Sequence, residues 1–155
     1  MIKAAESAGH DGGAGPRAAG HKDGGHGIAA PRVVRVRILR QDAPGEESYW
    51  ERFEVPYVDN MNVISILQQV AAQAKSRDGR RVAPVAWDCN CLEEVCGSCT
   101  TLINGRTRMA CSALVDKLLE ESGDEIELRP MSKFPVVRDL VVDRGRLFRA
   151  LERVK

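Results

Sequence analysis

The sequence predicts a small α+β domain in which one helix packs across a mixed β-sheet. Two observations support this prediction: the order of apolar patterns over residues 32–133, and a group of cysteines confined to one stretch between predicted strands. Most of the apolar patterns have the two-residue period of strands, and one longer pattern has the period of a helix. The predicted order is strand, strand, helix, the strands around the cysteine stretch, and a last strand.

A β-hairpin is predicted at the start of the ordered part, which is expected to begin at Arg32. Apolar residues alternate with other side chains in VVRVRIL and again from Tyr49 to Val55. The stretch DAPGEES between the two runs is rich in turn-forming residues, so the two strands are expected to pair.

A helix is predicted over the residues VISILQQVAAQAKS, and Asn60 and Asn62 just before it are suitable N-caps. Its apolar side chains recur on one face, which predicts packing in the core. These side chains are Val63, Ile66, Leu67, Val70 and Ala74.

A second hairpin is predicted around Asn104-Gly105, because an Asn-Gly pair between short β-prone runs is a strong signal for a tight turn. One helical turn is expected in LVDKLL, and EIELR is expected to form the last strand. Each signal is weak alone, but together they fit a β-grasp domain over residues 32–133.

The two flanks of this domain differ in composition. Residues 1–31 hold most of the glycines and all three histidines without apolar periodicity, so they are expected to form a disordered leader. Residues 134–155 are expected to add a C-terminal helix from Val136 to Lys155, with a break near Gly145. Its apolar face is expected to be only partly covered, and consists of Val137, Leu140, Val141, Leu147, Phe148, Leu151 and Val154.

Composition excludes several classes of function. The chain carries 23 basic and 22 acidic residues, and a net charge of +1 gives no electrostatic case for nucleic-acid binding. No apolar run approaches the roughly 20 residues that span a bilayer. No nucleophile–base pair is visible because residues 32–155 contain no histidine, and the glycines of GHDGGAG follow no strand as a dinucleotide site requires. The sequence therefore shows no catalytic apparatus.

Four of the five cysteines form the pattern C-x4-C-x2-C-x11-C: Cys91, Cys96, Cys99 and Cys111. Its opening is the spacing that plant-type ferredoxins use for a 2Fe–2S cluster. Two irons need four thiolates, and the hairpin at Asn104-Gly105 would return the fourth cysteine to the loop. These four residues are the candidate cluster ligands.

Zinc, a disulfide and free thiols are the alternatives for the same cysteines. A structural zinc site usually combines two pairs of the type C-x2-4-C, whereas this chain has one such pair and no nearby histidine. A 2Fe–2S cluster is therefore the preferred interpretation, with Cys89 as a bystander thiol.

The loop that carries the cysteines has an acidic rim, formed by Asp88, Glu93 and Glu94. No basic residue occurs from Asp88 to Cys99. Such a rim is either a docking surface for a redox partner or a solvated loop. Trp87 is expected to shield the cluster side of the core.

Two stretches resemble a known family: WDCNCLEEVCGSCTTLINGRTRMACSALVDKL and, after it, LRPMSKFPVVRDLVVDR. They resemble the iron–sulfur subunits of succinate dehydrogenase and fumarate reductase, above all the menaquinone-linked bacterial kind. The resemblance covers about residues 33–155. The x11 spacing is shared with the small subunits of molybdenum hydroxylases, but those lack the second stretch.

The resemblance implies a β-grasp 2Fe–2S ferredoxin-like domain whose cluster exchanges electrons with the FAD of a flavoprotein subunit. It also implies attachment to the inner face of the cell membrane through a membrane-anchor subunit, on the cytoplasmic side. Family members carry a second domain with 4Fe–4S and 3Fe–4S clusters, and no cysteine follows Cys111 here. The helix over residues 134–155 is expected to lead toward such a domain.

Three functions remain open from the sequence. The first is an electron-transfer subunit of a succinate dehydrogenase or fumarate reductase complex. The second is a free-standing 2Fe–2S ferredoxin or a small iron–sulfur subunit of another oxidoreductase. The third is a zinc-stapled interaction module without a redox role.

Overall fold

The computed structural model describes residues 32–154, so the leader expected over residues 1–31 lies outside the described residues. Strands and helices follow one another in an order that begins with a strand pair and a helix, as predicted. The strands are β1 Val33–Arg40, β2 Tyr49–Pro56, β3 Thr100–Ile103, β4 Arg106–Met109, β5 Glu125–Arg129, β6 Val136–Arg138 and β7 Val141–Val142. The helices are α1 Val63–Gln73, α2 Val115–Ser122 and α3 Gly145–Glu152.

Five of the strands form one mixed sheet in the order β2-β1-β5-β3-β4. β1 pairs antiparallel with β2 and parallel with β5, while β3 pairs antiparallel with both β5 and β4. The last predicted strand thus lies at the centre of the sheet, between the two hairpins. This topology confirms the α+β, ferredoxin-like fold.

The core lies on one face of this sheet. Alternate residues of β1 point into it and are buried, as the two-residue period predicts, and the central β5 contributes Ile126 and Leu128. Helix α1 covers this face with Ile66 and Leu67, which are also buried. Burying each such side chain stabilises the fold by about 1.5–3 kcal/mol, so this layer fixes the sheet on which the cysteine loop is built.

Helix α1 begins at a capping box. The Asn62 side chain accepts a hydrogen bond from the Ser65 backbone N–H at 3.0 Å, so Asn62 is the N-cap rather than Asn60. The helix ends at Gln73, three residues before the predicted end, because Ala74 takes a left-handed conformation with φ +49°. The Asn62 amide also donates to the Cys111 carbonyl at 2.8 Å, which ties the start of α1 to the cysteine region.

The hairpin of β3 and β4 turns at Asn104-Gly105, as predicted. Both residues have positive φ, +49° and +75°, which is the requirement of the tight turn that matches the twist of paired strands. Thr100 at the start of β3 pairs with Met109 at the end of β4, so the hairpin brings the two flanking segments side by side. The helix that follows, α2, is longer than the single turn expected.

The prediction of one C-terminal helix from Val136 is wrong for its first half. Residues 136–142 form a small antiparallel hairpin of β6 and β7, and only residues 145–152 are helical. Leu140 does not belong to a helical stripe, because it is buried in the core of the domain. The physical cause is a buried acidic residue in the turn of the hairpin.

Asp139 fixes this hairpin against the domain. It is fully buried with φ +47°, and its Oδ1 accepts a hydrogen bond from Nε of the buried Arg40 at 2.7 Å. Its Oδ2 accepts from the Ala86 backbone N–H at 2.8 Å. Arg40 is further paired with Glu51 at 2.5 Å. Buried charges are stable only when paired in this way, so the end of β1, the segment before the cysteine loop and the C-terminal hairpin are held together.

Candidate 2Fe–2S site

The cysteine loop occupies residues 88–99 and contains no helix or strand. Its backbone is tightly curved, with positive φ at Leu92, Glu94 and Gly97. Only Gly97 of these three lacks a Cβ that makes this conformation costly, and it lies between Cys96 and its neighbour in the pattern. The curvature brings the backbone of Cys96 close to Cys91, so that the Cys96 N–H donates to Cys91 Sγ at 3.3 Å.

The hairpin brings the fourth cysteine of the pattern next to the third. Cys99 immediately precedes β3, and one residue separates the end of β4 from Cys111. The backbone N–H of Ala110 donates to the Cys99 carbonyl at 3.1 Å, so the two strand ends are hydrogen-bonded to each other. Both thiols are buried, whereas Cys91 is half-buried and Cys96 is exposed.

Backbone N–H groups in the loop point at two of the sulfurs. The amides of Glu93 and Cys96 donate to Cys91 Sγ at 3.4 and 3.3 Å, and the amide of Ser98 donates to Cys96 Sγ at 3.4 Å. Hydrogen bonds of this kind stabilise the negative charge of thiolates and tune the potential of a cluster held by them. The loop is therefore built to hold sulfur in its anionic form.

The pKa values of the exposed Cys96 and the buried Cys111 are shifted in opposite directions. Hydrogen bonds from the Ser98 side chain and from the backbone of Cys91 and Ser98 lower the pKa of Cys96 from 9.0 to about 6. Burial, together with a hydrogen bond to Cys99, raises the pKa of Cys111.

The remaining predicted residues of the site take the following places. Trp87 is half-buried against the core and lines a small cavity of about 10 Å³ that Cys99 also lines. The acidic rim is exposed on all three of its residues, Asp88, Glu93 and Glu94. Cys89 is exposed, and its sulfur accepts none of the N–H hydrogen bonds found in the loop. Among residues 32–154, no group of three or more His, Cys, Asp or Glu side chains is already arranged to hold a metal ion.

Arg144 also contacts this site, although the sequence offers no local signal for it. Its guanidinium donates to the carbonyl of Gly97 and to the carbonyl of Ser98, both at 2.7 Å. The contacts join residues almost 50 positions apart, so no local pattern could have indicated them. Asp139 was missed for the same reason, since its partners are Arg40 and the Ala86 amide.

The donor set suits a 2Fe–2S cluster. A surface loop with thiols aided by backbone amides, backed by two buried thiols at the sheet edge, offers sulfur ligands of the soft kind that iron–sulfur clusters use. Residues 35–149 match the family described as "2Fe-2S iron-sulfur cluster binding domain". The chain belongs to this family. Its cofactor is a 2Fe–2S cluster, and the family match favours this cofactor over the zinc alternative.

Relatives of this 2Fe–2S domain include iron–sulfur subunits of succinate dehydrogenase and fumarate reductase. The chain is 48% identical over 83% of its length to the succinate dehydrogenase iron–sulfur subunit of Bacillus subtilis, of which it covers 49%. It is 26% identical over 83% of its length to the fumarate reductase iron–sulfur subunit of Haemophilus influenzae, of which it covers 46%. The resemblance expected from the sequence is thus confirmed.

A solved structure shares the fold of the domain. It is the Mycobacterium smegmatis Sdh1 complex in the apo form, with a TM-score of 0.67 and 25% identity over 81% of this chain and 48% of that chain. The chain spans about half the length of these two curated relatives. No helix within residues 32–154 has the length and apolar character needed to cross a membrane.

Proposed function

We propose that this domain is the electron-entry part of an iron–sulfur subunit in a succinate dehydrogenase or fumarate reductase complex. Its cluster is held by Cys91, Cys96, Cys99 and Cys111 and exchanges electrons with the FAD of a flavoprotein subunit. The proposal rests on the 48% identity to a succinate dehydrogenase subunit together with the geometry of the loop. When bound, the cluster supplies one-electron chemistry; the chain supplies its position, its shielding and its contact surface.

The arrangement of the four thiols supports this ligand set. The sulfurs of Cys91 and Cys96, on the loop, accept N–H hydrogen bonds, and the thiols of Cys99 and Cys111 are buried near the ends of β3 and β4. The Asn62 side chain holds the Cys111 carbonyl, so the position of that cysteine is fixed by the cap of α1. Cys89 takes no part in these contacts, which supports its role as a bystander thiol.

The difference in burial between the thiols gives the cluster an inner and an outer edge. Cys99 and Cys111 face the core, where the half-buried Trp87 limits access of water. Cys96 is exposed at the surface of the loop. A cluster held by these four cysteines would have its outer side at the exposed Cys96, where a partner could exchange electrons with it, and its inner side at the buried Cys99 and Cys111.

The outer edge carries a surface suited to a partner protein. Leu92 and Val95 project from the loop, and the Val95 side chain is 79% exposed. The acidic residues Asp88, Glu93 and Glu94 surround this apolar tip. An apolar centre with a charged rim is the usual composition of a protein interface, and like-signed charge on the rim guides a complementary partner.

Reduction of the centre by succinate in the presence of the flavoprotein subunit tests the proposal. The chain with its cluster is mixed with that subunit, succinate is added, and the reduced 2Fe–2S signal is followed by EPR. The wild-type centre should be reduced, and replacing Leu92 and Val95 with serine should slow reduction at least several-fold without loss of the cluster. Val58→Ser, which changes another exposed valine outside the loop, serves as the control.

A wild-type chain that carries the cluster but neither binds the flavoprotein nor receives electrons from it would overturn the proposal. That result would favour a free-standing ferredoxin. A colourless protein that contains zinc and shows no EPR signal after reduction would instead favour an interaction module.

In the proposed complex, attachment to the cytoplasmic face of the membrane is provided by an anchor subunit, and electrons continue to further clusters and quinone.

A further inference from the structure

Arg144 contacts the cysteine loop from outside. It lies just before α3, and its two terminal nitrogens donate to the carbonyls of Gly97 and Ser98 at 2.7 Å each. These carbonyls belong to the two residues that separate Cys96 from Cys99. A planar guanidinium offers two donors in a fixed geometry, so it holds both carbonyls in one orientation, whereas the rotating donors of a lysine ammonium do not fix that geometry.

The geometry of the peptide bond connects this contact to a cluster ligand. In a trans peptide the C=O and the following N–H point in opposite directions. When Arg144 holds the Gly97 carbonyl on one side, the Ser98 N–H must point to the other side, and it does point at Cys96 Sγ at 3.4 Å. Thr100 also donates to the Gly97 carbonyl, through its N–H at 3.1 Å and through Oγ1 at 2.7 Å. The Ser98 carbonyl belongs to the next peptide and accepts from Arg144.

The charge of Arg144 acts in the same direction as this geometry. A cation bonded to a peptide carbonyl polarises the peptide, which strengthens the hydrogen bond that its N–H donates. The positive charge also favours the reduced cluster, which carries one more negative charge than the oxidised one. Both effects raise the reduction potential of a cluster bound at Cys96 and its partners.

We infer that Arg144 is a positioning residue for the cluster: its fork on the Gly97 and Ser98 carbonyls aims the Ser98 amide at Cys96 and raises the reduction potential. The inference rests on the proposed ligand set. It assigns to the segment after β7 a direct effect on the redox centre, so that any partner or domain that pulls Arg144 from the loop lowers the potential.

The test compares three variants of the full chain with the cluster assembled: Arg144→Gln, Arg144→Lys and Arg149→Gln. Arg149 is an exposed arginine on α3, and its replacement removes the same charge without touching the loop. The potential is measured by EPR-monitored titration. Arg144→Gln should shift the equilibrium against the reduced form about tenfold, or about 59 mV for one electron. Arg144→Lys should give a smaller shift in the same direction, and Arg149→Gln should leave the potential close to that of the wild type.

Equal shifts in Arg144→Gln and Arg149→Gln would overturn the inference, because bulk charge would then explain both. A potential in Arg144→Lys equal to that of the wild type would overturn the role of the two-donor fork. If Arg144→Gln fails to retain the cluster, the inference is tested by comparing the reduction potential of Arg144→Lys with that of the Arg149→Gln control. A wild-type protein that assembles a cluster but receives no electrons from the flavoprotein refutes the proposed function and leaves this measurement valid.

Discussion

The two halves of the C-terminal segment have similar apolar patterns but differ in how far their apolar side chains are buried. The hairpin of β6 and β7 and the helix α3 both carry regularly spaced apolar residues with arginines between them. In the hairpin, the Leu140 side chain is only 7% exposed; in the helix, Leu147 is 50% and Phe148 is 65% exposed. The periodicity of a sequence shows that an apolar face exists, but not which part of that face the fold covers.

A buried ion pair accounts for the difference. The hairpin contains Asp139, whose carboxylate is fully buried against Arg40 and the Ala86 amide. Helix α3 has no buried residue, and the Arg144 side chain just before it donates to the Gly97 carbonyl of the cysteine loop. The hairpin is therefore part of the domain, and the exposed face of α3 is available for a partner.

Replacing Asp139 should have the largest effect on stability. Asp139→Ala leaves Arg40 without one of its two buried carboxylates, and breaking a buried pair costs about 3–5 kcal/mol. Urea unfolding of the protein should show this loss. Asp143→Ala, an exposed acidic residue that accepts a hydrogen bond from the Gly145 N–H, should cost only about 1 kcal/mol. Similar losses in both variants would show that the hairpin is no better anchored than the helix.

A matched pair of leucines tests the comparison with identical chemistry. Leu140→Ala removes a buried side chain and should destabilise the domain by about 2–5 kcal/mol. Leu147→Ala removes a half-exposed side chain and should change the free energy of unfolding by no more than about 0.5 kcal/mol. Calorimetry or urea unfolding gives both values. A large loss in Leu147→Ala would mean that α3 packs on the domain and is not a free surface.

Glu127 on β5 provides an intermediate case between buried and exposed ion pairs. Partial burial acts to raise its pKa, but the hydrogen bond and charge of Arg129 and the charge of Arg37 outweigh this and lower the pKa below 4.5. Its stabilising contribution is therefore complete above pH 4.5 and is lost as the pH falls through the lowered value. Glu127→Gln should cost roughly 1 kcal/mol at neutral pH, and the difference from the wild type should shrink in acid. A difference that stays constant between pH 7 and pH 3 would contradict this assignment.

The sheet and the first helix were predictable because their signals are local. The two-residue periods of β1 and β2, the N-cap at Asn62 and the turn at Asn104-Gly105 each act within a few residues. The four-cysteine spacing is likewise a local requirement of the cluster loop. Where the neighbours in sequence determine the structure, the prediction and the structure agree.

The features that sequence reasoning missed depend on distant partners. The buried carboxylate of Asp139 pairs with Arg40, some 100 residues away, and the guanidinium of Arg144 donates to the carbonyls of Gly97 and Ser98. Neither residue has a local sequence signal that predicts its partner. Such pairs become visible only once the chain is folded.

The most direct test of the account is the iron and sulfide content of single cysteine variants, measured together with EPR of the reduced protein. The wild-type chain and Cys89→Ser should each contain a 2Fe–2S cluster with the same signal. Serine in place of Cys91, Cys96, Cys99 or Cys111 should abolish the cluster or strongly alter its spectrum, because a serine oxygen is a poor match for iron compared with a thiolate. Loss of the cluster in Cys89→Ser, with an unchanged cluster in any of the other four variants, would contradict the assignment of the site.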